Sequence, residues 1–290
     1  MTVAVVTDST ADLSADWLSR HGVSMVPLTV TFNGRSYQDR VELDPLDFLG
    51  KLPDLSEPPK TSAPAPGAFV RVYTECLNQG KDGILSIHLA QGLSGTVRSA
   101  EVAARMVDGP IRVIDGESAS LGTGLLVWWA SCRAALGLDL ETLADEVQQL
   151  KEKLFALTAP VTLEYLARGG RIGQAARLLG TLLDMKPVLV LEHGTFRPER
   201  KVRGERQIVP ALLASLKSRI EPGRPILAAM GHSGNTQALK EAVAEGWRVV
   251  GWLDGVIGPV ISSHIGPGAY GLIALPLNDV QCKDIEEVLG

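Results

Sequence analysis

The sequence predicts an α/β fold in two domains that share a cleft: a mainly parallel α/β/α sheet first and a mixed-sheet α/β domain second. The first half alternates short apolar runs with helical patterns, as repeated β–α units do. The second half mixes hairpin signals with β–α units, which favours a mixed sheet. At 290 residues the chain exceeds the usual size of one domain. We therefore predict domains at residues 1–157 and 158–290.

The N-terminal half opens with a buried strand at residues 3–7 and a helix at 14–20. Alternating residues 23–32 end at Asn33-Gly34, a typical hairpin turn. Asp44-Pro45 has the N-cap and first-turn residues of a helix start. The remaining predicted elements are strands 83–89 and 111–115 and helices 66–78, 95–107, 120–136 and 140–155.

In the C-terminal half, helical patterns at 161–168 and 174–183 flank a Gly-Gly-Arg turn. Residues 187–192 and 195–197 read as paired strands across His193-Gly194. The later predicted elements are helix 205–219, strand 225–229, helix 235–245, strand 248–253 and helix 280–289.

Residues 255–278 form the longest run without a charged side chain. Its glycines and prolines are incompatible with a membrane-spanning helix. We expect a buried strand, a glycine-rich corner and a second buried strand at 270–275.

Composition narrows the function classes. Apolar residues make up 45% of the chain and the net charge is −5, typical of a mildly acidic globular protein without nucleic acid as its main partner. The three cysteines are scattered, so we expect neither a disulfide framework nor a structural zinc site. The N-terminal residues lack the basic start of a signal peptide, and we expect a cytoplasmic location.

Three polar features are candidates for a ligand site. His264 follows Ser262 and Ser263 within the apolar run, and a buried polar group needs a partner. Thr61 and Ser62 form a hydroxyl pair in a predicted loop between prolines, although a rigid loop with simple capping explains them equally well. The third feature lies between a predicted strand and a predicted helix and consists of Leu93, Ser94, Gly95 and Thr96. The free N–H groups of a helix N-terminus favour an oxyanion there, although Ser94 acting only as an N-cap explains the pattern equally well.

Ser94 also permits a second hypothesis, a serine hydrolase. Ser94 would be the nucleophile and His264 the base, oriented by Asp8 or Asp115, which both follow predicted strands. Thr96 occupies the last glycine position of a G-x-S-x-G elbow, so the motif is incomplete. Residues 266–271 match G-x-G-x-x-G without a following helix, and there is no Walker A sequence; we expect no cofactor.

A basic run stands out in this acidic chain. Five cations fall within ten residues. Such runs are usually solvated surface, yet the contrast with the net charge favours a docking surface. The basic run consists of Arg197, Arg200, Lys201, Arg203 and Arg206. Arg168 and Arg171 of the glycine-rich turn could extend this surface.

Taken together, these motifs resemble the DegV family, bacterial proteins that bind fatty acids. The similarity covers most of the chain in the family's order. Gly116 departs from it, because Ser or Thr commonly follows the VID motif. The matching motifs are DSTADL at 8–13, KTSAPAPGAF at 60–69, LSGTVRSA at 93–100, VIDGESASLGTG at 113–124, LEYLARGGRIG at 163–173, KPVLVL at 186–191 and HIGPGAYG at 264–271.

The resemblance implies a ligand cavity at the junction of the two domains, with a long-chain fatty acid in a buried tunnel. The acid's carboxylate would be held by Thr61, Ser94 and His264. The protein would perform no chemistry and would deliver the fatty acid to a separate fatty acid kinase, which forms an acyl phosphate. We also expect transient contact with a membrane surface. A structural or regulatory protein without a ligand is a third hypothesis. Candidate tunnel residues are Leu93, Leu121, Leu125, Leu126 and Ile265.

Overall fold

Three β-sheets organise the chain, and their strands divide near residue 155. The structure is a computed structural model that describes residues 2–180, 185–232 and 236–289. The strands are β1 Val3–Asp8, β2 Val23–Val26, β3 Thr29–Phe32, β4 Arg35–Gln38, β5 Lys60–Ser62, β6 Gly83–His88, β7 Ile111–Asp115, β8 Phe155–Ala159, β9 Met185–Glu192, β10 Thr195–Arg203, β11 Pro225–His232, β12 Arg248–Val256 and β13 Tyr270–Pro276. The helices are α1 Ala15–Arg20, α2 Pro45–Lys51, α3 Pro66–Asn78, α4 Thr96–Ala104, α5 Leu121–Ala135, α6 Leu140–Lys151, α7 Glu164–Arg168, α8 Ile208–Arg219, α9 Gln237–Gly246, α10 Pro259–Ile265 and α11 Asp279–Leu289.

Sheet topology confirms the predicted fold class. The first sheet has the order β2-β1-β6-β7 and all its pairs are parallel. The six-stranded sheet has the order β10-β9-β8-β13-β11-β12, in which only β11 and β12 run parallel. A small antiparallel sheet, β4-β3-β5, adjoins α10. Strand β8 crosses residues 157 and 158, so the domain boundary there stays a prediction.

Helix α5 lies between the two large sheets. Every residue from Leu121 to Cys132 is buried, because one side packs on β1 and β6 and the other on β11, β12 and β13. A helix that is apolar on all sides is typical of such a central position. Helices α3 and α4 cover the opposite face of the parallel sheet, and α8 and α9 cover the outer face of the mixed sheet. The molecule is thus built in alternating layers with α5 at the centre.

The expectation of a strand ahead of the glycine-rich corner is wrong. Residues Pro259–Ile265 form helix α10 instead. Gly258 is its N-cap and Pro259 its first residue, where a missing N–H costs nothing. Gly266 ends the helix with φ of +81°, a conformation that favours glycine. His264 therefore lies in the last turn of a helix.

Other elements differ in length or type from those predicted. Residues 60–62 pair with β3 as strand β5 rather than forming a loop, and β10 extends to Arg203. Helix α6 ends at Lys151, so Phe155 belongs to a strand. The helix predicted at 174–183 is a short 3-10 helix, Gly173–Leu178; residues 181–183 and 235 of the predicted helices lie outside the described residues.

In the described part of the chain, no helix has both the length and the apolarity needed to cross a bilayer. Cys76, Cys132 and Cys282 are all free and buried.

Candidate functional site

A cavity of about 160 Å³ lies where the two halves of the chain meet. Its walls come from β5, the loop before α4, the loop before α5, the mixed sheet and α10. Most of the lining side chains are apolar, whereas Ser62 and Gly95 are exposed and mark its rim. The lining includes Leu28, Leu89, Ala156, Leu157, Leu191, Phe196, Ile257, Val260, Ile261 and Ile273.

His264 and Thr61 meet in this cavity although 203 residues separate them. Thr61 Oγ1 and His264 Nε2 are hydrogen-bonded at 2.8 Å. Strand β5 fixes Thr61 opposite Val30 in the small sheet, and α10 presents His264. Burial, together with the nearby Arg171, lowers the pKa of His264 to about 4. The imidazole is therefore neutral at pH 7, and its Nδ1 has no hydrogen-bond partner.

Arg171 lines the same cavity, although the sequence placed it with the docking surface. Its Nε donates to Leu93 O at 3.0 Å and one terminal nitrogen donates to Gly169 O at 2.6 Å. These two carbonyls leave part of the guanidinium for other partners. The Gly-Gly-Arg turn after α7 thus brings a positive charge to the polar end of the cavity, a position that the LEYLARGGRIG motif alone did not reveal.

Ser94 also lines the cavity, two residues before α4, while Gly95 is the N-cap of that helix. Ser94 Oγ and Thr96 Oγ1 lie 2.9 Å apart. Thr96 is fully buried beneath Ser94 and is not among the lining residues. The cluster therefore presents one hydroxyl to the cavity and supports it with a second.

The predicted tunnel residues separate into two groups. Leu93 and Ile265 line the cavity. Leu121, Leu125 and Leu126 do not, because they belong to α5 and are buried in the core between the sheets.

A serine–histidine–aspartate chain is present, but it does not use Ser94 or His264. Asp8 Oδ2 bonds His88 Nδ1 at 2.9 Å, and His88 Nε2 bonds Ser86 Oγ at 2.7 Å. These three side chains are buried and lie outside the cavity lining. Asp115, the other predicted orienting group, accepts backbone N–H bonds at the end of β7. The structure brings neither aspartate to His264.

Comparison with protein families supports the resemblance that the motifs indicate. A family model described as an uncharacterised protein of the DegV family matches residues 2–277. A DegV domain-containing protein of Streptomyces coelicolor is 36% identical over 281 residues, covering 93% of this chain and 97% of the relative. The chain belongs to the DegV family.

Solved structures of the DegV family share this architecture. A Thermus thermophilus protein, described as a DegV family protein with fatty acid binding, superposes with a TM-score of 0.90 and is 40% identical in sequence. The match covers 96% of this chain and 100% of the Thermus thermophilus chain. DegV of Bacillus subtilis, described as a fatty acid binding protein, superposes with a TM-score of 0.85 and is 32% identical in sequence. The match covers 96% of this chain and 100% of the Bacillus subtilis chain.

In this DegV family member the basic run follows the edge strand β10. Phe196 near the start of the strand lines the cavity, and the basic residues follow it along the strand. Arg197 pairs with Glu192 at 3.0 Å, and Arg200 donates to Ser215 Oγ at 2.7 Å. Exposed side chains continue the run at Lys201, Arg203 and Arg206. Arg168 is separate and exposed on α7, where it pairs with Glu164.

Outside the cavity, Glu117, Glu152 and His193 place ligand atoms within 4.8 Å of one another. Glu117 is bonded to both Lys151 and His193 at 2.8 Å. Because Lys151 already neutralises the carboxylate, the group forms a surface ion-pair network.

Proposed function

We propose that this protein binds a long-chain fatty acid, with the carboxylate beside Thr61, Ser94 and His264 and the acyl tail along the apolar walls. The observation that carries this proposal is the bonded Thr61–His264 pair within an otherwise mostly apolar cavity. The family relatives described as fatty acid binding support it.

The polar end suits an anion with two acceptor oxygens. The hydroxyls of Thr61 and Ser94 can donate hydrogen bonds, and Arg171 contributes a positive charge nearby. Thr61 and neutral His264 share one hydrogen bond, so only one of them donates to the ligand: Thr61 when the ring proton is on Nε2, and His264 when it is on Nδ1. A carboxylate bound here would receive the donors that compensate its loss of water. An alcohol would gain less, because it carries no charge for Arg171.

The apolar walls suit the tail. Each buried methylene group contributes about 0.8 kcal/mol, so a long acyl chain could supply most of the binding free energy. The polar contacts would then fix orientation and select acids from other lipids.

Mass spectrometry of lipids extracted from the purified protein tests the proposal directly. We expect a stoichiometric fatty acid and tighter binding of oleic acid than of oleyl alcohol. Thr61→Ala should narrow that difference by about 2- to 10-fold, as the loss of one hydrogen bond predicts. Equal affinity of the parent protein for acid and alcohol would reject the head-group site. Labelling of Ser94 by a fluorophosphonate would instead favour the hydrolase.

We further propose that the bound acid is presented to a separate kinase that phosphorylates its carboxylate. The exposed rim residues Ser62 and Gly95 adjoin the polar end, so the head group would be near solvent. The basic run extends from the cavity wall at Phe196 and offers a surface for such a partner.

A further inference from the structure

An ionic cluster lies buried at the start of α10, the helix that carries His264. It consists of Asp12, Asp39 and Arg40, and none of these residues lines the cavity. Asp12 is 2% exposed and Asp39 is fully buried, while the Arg40 side chain is 11% exposed. All three come from the N-terminal half of the chain.

Two of these side chains bind backbone N–H groups at the start of α10. Gly258 N donates to Asp12 Oδ1 at 3.0 Å, and Val260 N donates to Asp39 Oδ1 at 3.4 Å. Arg40 bridges the same place from the other side: it lies 3.3 Å from Asp12 Oδ1 and donates to Val256 O at 3.2 Å. The cluster therefore fastens both the end of β12 and the first turn of α10 to the N-terminal half.

The remaining oxygen of Asp12 reaches the cavity wall. Ser120 Oγ donates to Asp12 Oδ2 at 2.5 Å, and Ser120 lines the cavity. Ser120 has φ of +54° and ψ of −145°, which is costly for a residue other than glycine. Asp12 thus connects α10 to a strained residue at the start of α5.

Burying these charged groups costs folding free energy, because they lose their contact with water. Burial raises the pKa of Asp12 to about 7 and that of Asp39 to about 6. Arg40 and the Ser120 hydrogen bond only partly offset this for Asp12, and the Ser9 hydrogen bond and Arg40 only partly offset it for Asp39. Buried ion pairs are weak sources of stability but can fix one arrangement of the parts they join.

We propose that Asp12, Asp39 and Arg40 form a clamp that positions His264 for the ligand's head group by holding the first turn of α10. This inference rests on the proposed function and adds positioning residues to it. The helix is short, so a shift at Gly258 moves the whole of it. His264 meets Thr61 only while α10 keeps its place beside β5.

The test measures the ratio of oleic acid affinity to oleyl alcohol affinity. Asp12→Asn and Arg40→Gln should each reduce that ratio about 3- to 10-fold, as loss of about one head-group hydrogen bond predicts. Gly258→Ala disturbs the same contact without removing a charge. The added Cβ would lie 2.5 Å from Asp12 Oδ1, and the φ of Gly258, −70°, is ordinary for alanine. This variant should act in the same direction if Asp12→Asn does not fold.

Two controls separate positioning from general destabilisation. Glu146→Gln breaks a half-buried ion pair with Arg133 far from α10, and it should leave the ratio unchanged. In a double-mutant cycle, Asp12→Asn should have little further effect on the ratio in a His264→Gln protein. Additive effects would show that Asp12 does not act through His264.

Different outcomes reject the proposed function and the clamp. A parent protein that does not prefer the acid rejects the proposed function itself. A parent that prefers the acid, with variants Asp12→Asn, Arg40→Gln and Gly258→Ala that keep the preference, rejects only the clamp.

Discussion

At the scale of single residues, the environment of His264 decides its chemistry. The ring is enclosed by α7, β5 and the Arg171 guanidinium, all of which oppose a positive charge or remove water from it. A neutral imidazole beside hydroxyls is a hydrogen-bonding group for a bound anion. It lacks the carboxylate partner that orients the histidine of a hydrolase.

We predict that ligand binding raises the pKa of His264. In the free protein it is about 4, below the ordinary value, because of burial and then Arg171. An anionic carboxylate within hydrogen-bond reach favours the protonated ring and moves the pKa upward. By linkage, the affinity for the fatty acid carboxylate should rise as the pH falls from 7 through the raised pKa of His264 in the complex.

NMR titration of the histidine ring signals, with and without oleate, measures this shift. His264→Gln assigns the signal among the five histidines. Oleyl alcohol serves as the uncharged control and should leave the pKa low. An unchanged His264 pKa with oleate bound would contradict contact between the carboxylate and the ring.

Gly169 provides a second residue-scale prediction. A Cβ at this position would overlap His264 Nδ1, while the backbone of Gly169 is ordinary, with φ of −74°. Gly169→Ala should therefore displace the imidazole and lower acid affinity about 2- to 10-fold, while alcohol affinity changes little. Gly50→Ala is the matched control, since its Cβ meets nothing within 4 Å. Isothermal titration of both variants checks the difference; equal effects would exclude steric displacement of His264.

The sequence could indicate the polar candidates because each stands out locally. Thr61 is flanked by prolines and His264 lies in a long uncharged run. Asp12 and Arg171 also lie in motifs that stand out, but their roles could not be read from them, because those roles depend on Gly258, Leu93 and other partners far along the chain. Side-chain identity shows what a residue can do, but only packing shows where it does it.

At the scale of elements, most helix and strand types followed from periodicity, while the error at α10 came from composition. Its apolar, β-branched residues resemble a buried strand. The decisive signals were the flanking residues: a proline at the first helical position and a glycine just past the end. These terminal signals should outweigh apolarity in runs as short as seven residues.

Helix α5 supplies a prediction about the tunnel. Leu125 is fully buried in the core and does not line the cavity, whereas Ile265 of α10 does. Leu125→Ala should lower the free energy of unfolding by about 2–5 kcal/mol. Its fatty acid affinity should stay near that of the parent, measured where the variant is folded.

Ile265→Ala is the matched comparison, since it also removes a buried aliphatic side chain. It should weaken binding of acid and alcohol alike, because the lost contact is with the tail. Urea unfolding gives the stability and titration gives the affinity. If Leu125→Ala weakens binding as much as Ile265→Ala does, the cavity extends further toward α5 than the structure indicates.

At the scale of the whole molecule, the site depends on how two separately predictable halves meet. The parallel and mixed sheets follow from local patterns, and α5 joins them as a shared layer. The cavity is what remains between them, so its volume and lining depend on every contact across the junction. Local sequence patterns could not specify that volume, nor which leucines face it.

The basic run gives the last prediction, because a carrier must bring its ligand to an enzyme. Strand β10 leads from Phe196 at the cavity to Arg203, about 23 Å further along at roughly 3.3 Å per residue. Reversing the exposed pair Arg203→Glu/Arg206→Glu leaves the Arg200–Ser215 hydrogen bond in place. The double variant should slow acyl-phosphate formation by the cognate kinase at low salt, with a smaller effect at high salt, since docking charges mainly raise association rates.

Fatty acid affinity should not change in this variant, which separates docking from binding. Arg105→Glu/Lys283→Glu makes the same change in net charge on other exposed surfaces and should leave kinase turnover intact. If kinase turnover at low salt is unchanged by the Arg203→Glu/Arg206→Glu variant, the basic run is only solvent-exposed surface and not a docking site. Equal slowing by both double variants would assign the effect to net charge, because only a docking surface makes the position of the charges matter.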